Sequence, residues 1–224
     1  TNTIGILKID SAQERIKKFN PNSELLTFAE RINPKNALEI IQKFDIICDC
    51  SDNFGTRYLI NDACLILNKP LVFGSVQGFE GQVSVFNLNK TSPNLRDLLP
   101  ESPSKNAVPS CAEYGVVGVS TGLIGIIQVN EIIKIILKKG EVLDGKIMVF
   151  DLLNMNTKKL HLKSDQVNKQ INNLSKFMDY YSDVDCSTKT GKIKRINDYD
   201  FNSLYKLKPI KFLLFDVREN EEFS

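Results

Sequence analysis

The sequence of 224 residues lacks the chemistry that marks several common protein classes. It contains a single histidine, His161, and no pair of cysteines in a CxxC spacing, so it offers little for a structural zinc site. Its five cysteines make an odd number, and the only closely spaced pair is Cys48 and Cys50. This cysteine usage argues against a disulfide framework and favours a reducing compartment, so we expect a cytoplasmic protein.

An excess of charge of one sign and a long uninterrupted apolar run are also missing. The 29 basic and 27 acidic residues are interspersed, so no basic face predicts binding to nucleic acid. The longest apolar stretch, 116–137, contains Gln128, Glu131 and Lys134 in its second half, a composition that argues against a membrane span. We expect no membrane contact and no signal peptide, and a start at Thr1 predicts a processed or truncated piece.

The remaining composition, 42% apolar and 25% charged, is typical of a globular protein with a buried core. Periodicity and turn residues predict helices and strands in alternation, including a β-α-β unit made of strand 46–48, helix 54–68 and strand 71–73. The other predicted helices are 10–20, 37–44 and 116–139, the other strands are 25–29, 82–87, 146–151 and 157–162, and 90–114 is a loop. In helix 116–139, the predicted core residues are Ile124, Ile127, Ile132, Ile135 and Ile136.

The chain is predicted to contain a domain boundary. Residues 164–192 are polar and have no periodicity, which is typical of a linker. A second unit is expected to begin near Ile193, with a helical stretch at 198–207 and a strand at 212–215.

One candidate site is the polar segment 49–53, which follows a buried strand and precedes a helix. Ligands bind at the carboxyl ends of parallel strands, where helix N-termini offer donors to phosphate. The alternative is that Ser51 or Asp52 only caps the helix. Arg57 and Asn61 share one helix face and either belong to such a site or form a solvated polar stripe.

Cys111 is a second candidate, a thiol in a polar loop near the glycine-rich start of a helix. Helix N-termini lower thiol pKa values, but no histidine is expected beside Cys111, so its spacing alone is a weak signal for a nucleophile. The cysteines at 48, 50 and 64 fall in or beside apolar positions and are predicted to be small core residues. Lys8, taken alone, predicts a solvated surface residue.

Five segments, in this order along the chain, resemble the ThiF/MoeB family, relatives of the ubiquitin-activating enzymes. They are 44–61, 69–72, 78–82, 110–113 and 115–118. The end of the chain, 215–218 with 222–223, resembles the start of a rhodanese domain. The resemblance implies an α/β fold with a doubly wound, largely parallel sheet over 1–163, a linker over 164–192, and the first part of a rhodanese-like α/β domain over 193–224.

The family adenylylates the C-terminal glycine of a ubiquitin-like sulfur carrier, MoaD- or ThiS-like, using ATP and Mg²⁺, and its enzymes are usually homodimers. By resemblance, Asp52 would hold Mg²⁺ and ATP phosphate, Asn53 would line the nucleotide site, and Lys8 would neutralise phosphate charge. Arg57 and Asn61 also match family positions, with either a catalytic or an architectural role, and Arg57 is expected to contact the nucleotide. Cys111 matches the loop cysteine that attacks the adenylate to form a covalent carrier intermediate.

The sequence also departs from the family pattern. The family commonly carries two CxxC zinc pairs, but this chain has 94–97 (NLRD) at the first and no pair after 163, which predicts a zinc-free variant. The family's glycine-rich nucleotide loop precedes the Lys8 region, so the nucleotide site in this chain is expected to be incomplete. The rhodanese-like segment stops before the active-site cysteine of such domains.

Two other functions compete with adenylylation. A non-catalytic carrier-binding module of the same fold would explain the missing zinc pairs, but it would not need Lys8, Asp52, Asn53 and Cys111 together. A nicotinamide-dependent dehydrogenase is disfavoured because the chain has no GxGxxG motif.

Overall fold

The computed structural model describes residues 3–101, 115–169 and 171–181, which all belong to one compact unit, Thr1–Cys186. Cys111 and the predicted rhodanese-like segment 193–224 lie outside the described residues. The helices are α1 (Lys8–Phe19), α2 (Ala37–Ile41), α3 (Phe54–Leu67), α4 (Leu95–Leu98), α5 (Gly118–Leu137) and α6 (Leu174–Tyr181), with a 3₁₀ helix at Gln166–Lys169. The strands are β1 (Ile47–Asp49), β2 (Leu71–Gln77), β3 (Glu80–Phe86), β4 (Lys146–Asp151) and β5 (Asn156–His161).

The strands form one mixed sheet in the order β1-β2-β3-β4-β5. The predicted α/β class is confirmed, but the sheet is not largely parallel in the described part of the chain. Only β1 and β2 are parallel, and the other three neighbouring pairs are antiparallel. For β2 and β3 the cause is their connection, because Gly78 and Phe79 alone cannot make the long crossover that parallel strands need. Gly78 has a φ of +55°, which glycine adopts at low cost in such a turn.

The predicted β-α-β unit is present as β1, α3 and β2. Helix α3 begins after Asn53, whose side chain caps it, and ends at Asn68, which has a left-handed φ of 52°. Its apolar side covers one face of the sheet, where Leu59 and Ala63 are fully buried in a core that includes Phe73 and Phe86. This packing holds the start of α3 next to the end of β1.

Helix α5 packs on β2 and β3 and shares a second core with Val72, Val83 and Val85. Glycines in the strands permit the close approach, because a Cβ atom at Gly74 would collide with Gln128 and one at Gly81 would collide with Ile124. Of the predicted core isoleucines, Ile124 is buried and Ile127, Ile132 and Ile135 are partly buried. The prediction for Ile136 is wrong, since its side chain is 64% exposed on the outer side of the helix.

By length and composition alone, α5 is also able to cross a membrane. Two of its polar residues are engaged inside the domain, where the Gln128 amide donates to the carbonyls of Asp49 and Val72, and Glu131 accepts from the backbone N–H of Leu143. The absence of membrane contact remains a prediction.

Other local predictions differ from the structure. Residues 25–29 do not form a strand, and the predicted loop 90–114 contains α4. In the segment predicted as a linker, α6 packs against α3 and buries Phe177 and Tyr181 completely or nearly so. This helix has only eight residues and follows a polar stretch, so the spacing of its apolar residues was too short a pattern to predict a helix. The boundaries 1–163, 164–192 and 193–224 remain a prediction.

Candidate functional site

The turn between β1 and α3 carries two of the predicted site residues, Asp52 and Asn53. The Asn53 side-chain oxygen accepts a hydrogen bond of 2.9 Å from the backbone N–H of Thr56, so Asn53 is the residue that caps α3. The carboxylate of Asp52 is exposed, and the Asn53 amide donates to it over 3.4 Å. The alternative that Ser51 or Asp52 serves only as the cap is therefore wrong, and Asp52 is left at the surface beside a helix N-terminus.

A buried ion pair between Asp49 and Arg57 stabilises this turn. Asp49 is 1% exposed, and its carboxylate accepts hydrogen bonds from the Ser51 backbone N–H at 2.8 Å and from Arg57 at 3.4 Å. Arg57 also donates to the carbonyl oxygen of Gly74 at 2.7 Å and stacks over the ring of Phe73. Arg57 thus connects the end of β1 to β2, and the alternative that it belongs to a solvated stripe is wrong.

Asp49 lies in the predicted segment 49–53, but no role was expected for it from the sequence. An acidic residue that ends an apolar strand is a usable signal, because a buried carboxylate needs a partner nearby. The position of its partner could not be read from the sequence, since Arg57 reaches Asp49 from one turn inside the following helix.

Asn61, the other residue on the predicted stripe, is completely buried. Its side-chain oxygen accepts from the Leu95 backbone N–H at 2.9 Å, and its amide donates to Asp62 and Asn94. These contacts join α3 to α4, so the prediction of a solvated position is wrong and the contacts of Asn61 are architectural.

A second buried ion pair, not expected from the sequence, joins Asp62 and Arg96. Arg96 donates two hydrogen bonds to Asp62, at 3.0 and 2.7 Å, and the Tyr181 hydroxyl donates a third at 2.7 Å. Burial is the largest cause that raises the pKa of Tyr181, and the neighbouring Asp62 carboxylate raises it further. This group, which we call the Asp62 cluster (Asp62, Arg96 and Tyr181), lies where α3, α4 and α6 meet.

Residues 94–97, where the family commonly has its first zinc pair, form a hydrogen-bonded turn instead. Asn94 and Asp97 form a reciprocal capping box at the start of α4. Asp97 also accepts from the Asp165 backbone N–H at 2.7 Å and from the Asn168 amide at 3.1 Å. These residues do not fit a zinc ion, because they supply no thiolate and their oxygens are already bonded. In the described ranges, no group of three or more His, Cys, Asp or Glu side chains could hold a metal.

The cysteines are placed differently from the prediction. Cys64 is buried in the core as expected, and burial raises the pKa of its thiol. Cys48 and Cys50 were also predicted to be core residues, but both are exposed at the end of β1. The strand is an edge strand of the described sheet, so one side of it has no neighbouring strand there.

Lys8 is exposed at the start of α1, a helix that buries none of its residues. Among the residues that the structure describes, no hydrogen bond or ion pair joins Lys8 to Asp52, so the role of Lys8 stays a prediction. Cys111 lies outside the described residues, and its role stays a prediction too.

Comparison with known proteins gives consistent results. The ThiF family model matches residues 1–171. The adenylyltransferase and sulfurtransferase MOCS3 of Drosophila virilis is 35% identical over 232 residues, which cover 98% of this chain and 51% of that protein. The sulfur carrier protein adenylyltransferase of Thermus thermophilus is 40% identical over 167 residues, which cover 73% of this chain and 62% of that protein. The probable molybdopterin-synthase adenylyltransferase of Pyropia yezoensis is 36% identical over 223 residues, which cover 99% of this chain and 57% of that protein.

The chain spans about half the length of the curated MOCS3 relatives it matches. Among solved structures, E. coli MccB with MccA-N7isoASN has a TM-score of 0.64 at 13% identity, covering 77% of this chain and 54% of that chain. E. coli MccB with ATP has a TM-score of 0.62 at 15% identity, covering 74% of this chain and 51% of that chain. At such identities the likeness concerns the fold. The family match over residues 1–171 and the identities of the curated relatives identify the chain as a member of the ThiF family.

Proposed function

We propose that this chain is part of an ATP-dependent adenylyltransferase that activates the C-terminal glycine of a ubiquitin-like sulfur carrier. The observation that carries the proposal is the exposed Asp52 carboxylate at the N-terminus of α3, in a turn held by the buried Asp49–Arg57 pair. The names of the curated relatives from Thermus thermophilus and Pyropia yezoensis support the same reaction.

Two negatively charged groups must meet in this reaction. The carrier carboxylate attacks the α-phosphorus of ATP, an acyl adenylate forms, and pyrophosphate leaves with the electrons of the broken phosphoanhydride bond. When bound, Mg²⁺ would stabilise the negative charge on the phosphate oxygens. Asp52 fits such an ion, because Mg²⁺ in proteins is commonly held by one or two carboxylates together with substrate phosphates. Lys8 would add positive charge to the same phosphates.

The other predicted nucleotide contacts act through the turn. The side-chain oxygen of Asn53 is used in the α3 cap, so the side-chain NH₂ group would be the one that contacts the nucleotide. Arg57 is 7% exposed and bonded to Asp49 and Gly74, so we assign it a positioning role in which it keeps Asp52 at the end of β1. The first turn of α3 would offer its backbone N–H groups to phosphate.

A covalent step at Cys111 would follow adenylylation. The Cys111 thiolate would attack the carbonyl carbon of the adenylate, AMP would leave, and the carrier would be held as a thioester. The terminal sulfur of a persulfide, which a rhodanese-type domain is suited to supply, would attack the thioester carbonyl, releasing the Cys111 thiolate and forming an acyl disulfide. The Cys111 thiolate would then cleave the S–S bond of the acyl disulfide, releasing the thiocarboxylate and leaving a disulfide between Cys111 and the persulfide-carrying cysteine, which a thiol reductant would reduce.

The three described cysteines are free thiols, which supports a reducing compartment such as the cytoplasm.

We also propose that the protein is a homodimer. The outer face of α5 exposes Val119, Ile126, Val129, Ile133 and Ile136, each between 47% and 75%. Their spacing places them in one stripe along the helix. A contiguous apolar surface of this kind is typical of a protein–protein interface, and a second copy of the chain would cover it.

A non-catalytic carrier-binding module is the second candidate, because residues 94–97 carry none of the thiols that the family commonly has there. Carrier-dependent exchange of labelled pyrophosphate into ATP, measured on the full-length protein, separates the two. We expect exchange with MoaD- or ThiS-like carriers, its loss in Asp52→Ala, and its retention in Cys111→Ala. Asp45→Ala, a change at a fully exposed carboxylate before β1, is the matched control. Carrier binding without any exchange would overturn the enzyme proposal.

A further inference from the structure

Cys48 and Cys50 lie side by side at the end of β1. Alternate residues of a strand point to the same face, so the two thiols share one face while Asp49 between them points to the other. Their sulfur atoms are 3.8 Å apart, and both residues are exposed. The Cys50 thiol also contacts the side-chain oxygen of Gln128 on α5 at 3.7 Å. The structure therefore has two accessible sulfurs within reach of each other, one residue before the Ser51–Asn53 turn.

We propose that Cys48 and Cys50 are a redox-active dithiol that a peroxide converts to an intramolecular disulfide. One of the two thiols loses its proton to the solvent, and its thiolate attacks one peroxide oxygen. The O–O bond breaks, this sulfur becomes a sulfenic acid, and the released hydroxide takes up a proton from the solvent and leaves as the first water. The other sulfur then attacks the sulfenic sulfur, and the hydroxyl group leaves with the proton of the second thiol as the second water. Two thiols lose two electrons, and the peroxide gains them.

Both sulfurs are exposed, so either can meet a peroxide, and the other lies 3.8 Å away to close the disulfide. Thiolates, rather than thiols, react with peroxides, so the first attack comes from whichever of the two sulfurs has lost its proton.

Closing the disulfide requires a movement of the backbone. The sulfurs must approach from 3.8 Å to about 2.05 Å, the length of an S–S bond. Two residues of extended strand span about 6.6 Å, close to the upper limit of Cα separations that a disulfide bridges. The end of β1 must therefore bend at Asp49, whose carboxylate holds both Ser51 and Arg57.

This bend would displace Asp52 and Asn53, so the disulfide would lower adenylylation, a consequence that rests on the proposed function. Disulfides with strained geometry are reduced more easily than relaxed ones. The change would then be reversible by a dithiol reductant. The pair would thus be a modification site at which peroxide changes the position of the nucleotide turn.

The first test is chemical and does not depend on enzyme activity. The full-length protein is treated with hydrogen peroxide, the remaining thiols are alkylated, and the peptides are mapped by mass spectrometry. We expect the peptide that contains both cysteines to lose two hydrogens, to resist alkylation, and to regain two free thiols with dithiothreitol. Buried Cys64 serves as an internal control that stays reduced. Cys48 and Cys50 that remain alkylatable, or that pair with other cysteines, would overturn the proposal.

The second test measures carrier-dependent pyrophosphate exchange before and after oxidation. A displacement of about 1 Å at a catalytic turn can cost on the order of a hundredfold in rate, so we expect a loss of about tenfold or more that dithiothreitol reverses. Cys48→Ala is expected to keep its exchange in peroxide, with Cys48→Val as a second variant. Inactivation of Cys48→Ala to the same extent would overturn the coupling. A wild type without exchange in either state would instead count against the proposed function, and the peptide map would still decide the disulfide.

Discussion

The Tyr181 hydroxyl donates a hydrogen bond of 2.7 Å to the carboxylate of Asp62, a residue 119 positions earlier in the chain. Arg96 holds the same carboxylate with two further hydrogen bonds. All three side chains are largely removed from water, so the carboxylate relies on these partners. The bond ties α6 to the rest of the domain.

The Tyr181→Phe variant tests this tie. It removes one hydrogen bond to a charged group while the ring stays in place, so we expect the free energy of unfolding to fall by about 1.5–3 kcal/mol. The measurement is urea denaturation of the full-length protein, followed by a probe of the first domain. Lys176→Ala, an exposed change on the same helix, is the control and should stay within about 0.5 kcal/mol of the wild type. An unchanged urea midpoint in Tyr181→Phe would contradict the role of the bond.

Zinc content tests the interpretation of residues 94–97. Their capping box and the bonds from Asp97 to Asp165 and Asn168 join the segments without a metal. We expect the purified full-length protein to contain no stoichiometric zinc and to keep its thermal midpoint when a chelator is added. Asp97→Ala should lower the midpoint, because it removes the bonds to both Asn94 and Asp165. A midpoint that falls with chelator in the wild type would show a zinc site and contradict this prediction.

The hydrogen bond from Cys48 lowers the pKa of Cys50 to about 7, so the alkylation rate of Cys50 should depend on pH with a midpoint near that value. The thiolate is the reactive form, so the rate should rise as pH increases and level off above about 7, rather than above the ordinary value of 9.0. In Cys48→Ala, which removes the hydrogen-bond donor, the pKa of Cys50 should rise and the midpoint should move to higher pH. The measurement is iodoacetamide labelling followed by peptide mapping. A midpoint that is the same in both proteins would mean that Cys48 does not stabilise the thiolate.

Self-association should depend on the apolar stripe of α5. Ile126 is 69% and Ile133 is 47% exposed, and they lie two helical turns apart on the same face. We expect the full-length protein to sediment as a dimer and the Ile126→Glu, Ile133→Glu double variant as a monomer, because a buried unpaired carboxylate disfavours the interface. Leu153→Glu, at a position 68% exposed between β4 and β5, should leave the dimer intact. A wild type that sediments as a monomer at every concentration would remove this proposal.

Much of the local structure follows from the sequence itself. Apolar spacing predicted α1, α3 and α5 to within a few residues, because an amphipathic helix needs its apolar side chains on one side. Short apolar runs between turns predicted β1 and the first part of β2 for a related reason. Strands β4 and β5 were also predicted, to within one residue. The order of the motifs predicted the family, since those motifs are short and contiguous.

The sheet direction and the placement of polar residues could not be obtained in this way. Strand β3 alternates in the same way whether it runs parallel or antiparallel, and the short Gly78-Phe79 connection decides for antiparallel. Helix α6 follows a polar stretch and became recognisable only through its burial against α3.

By itself, the sequence determined the α/β class, most of the elements and the identity of the turn that carries Asp52 and Asn53, because each depends on residues close together in the chain. The tertiary structure decided which charged residues are buried and which thiols are exposed. Arg57 is bonded to Gly74, 17 positions later, and Asp62 to Arg96 and Tyr181, 34 and 119 positions later. A charged side chain can enter the interior only where such a partner meets it, and that meeting depends on how the helices pack on the sheet.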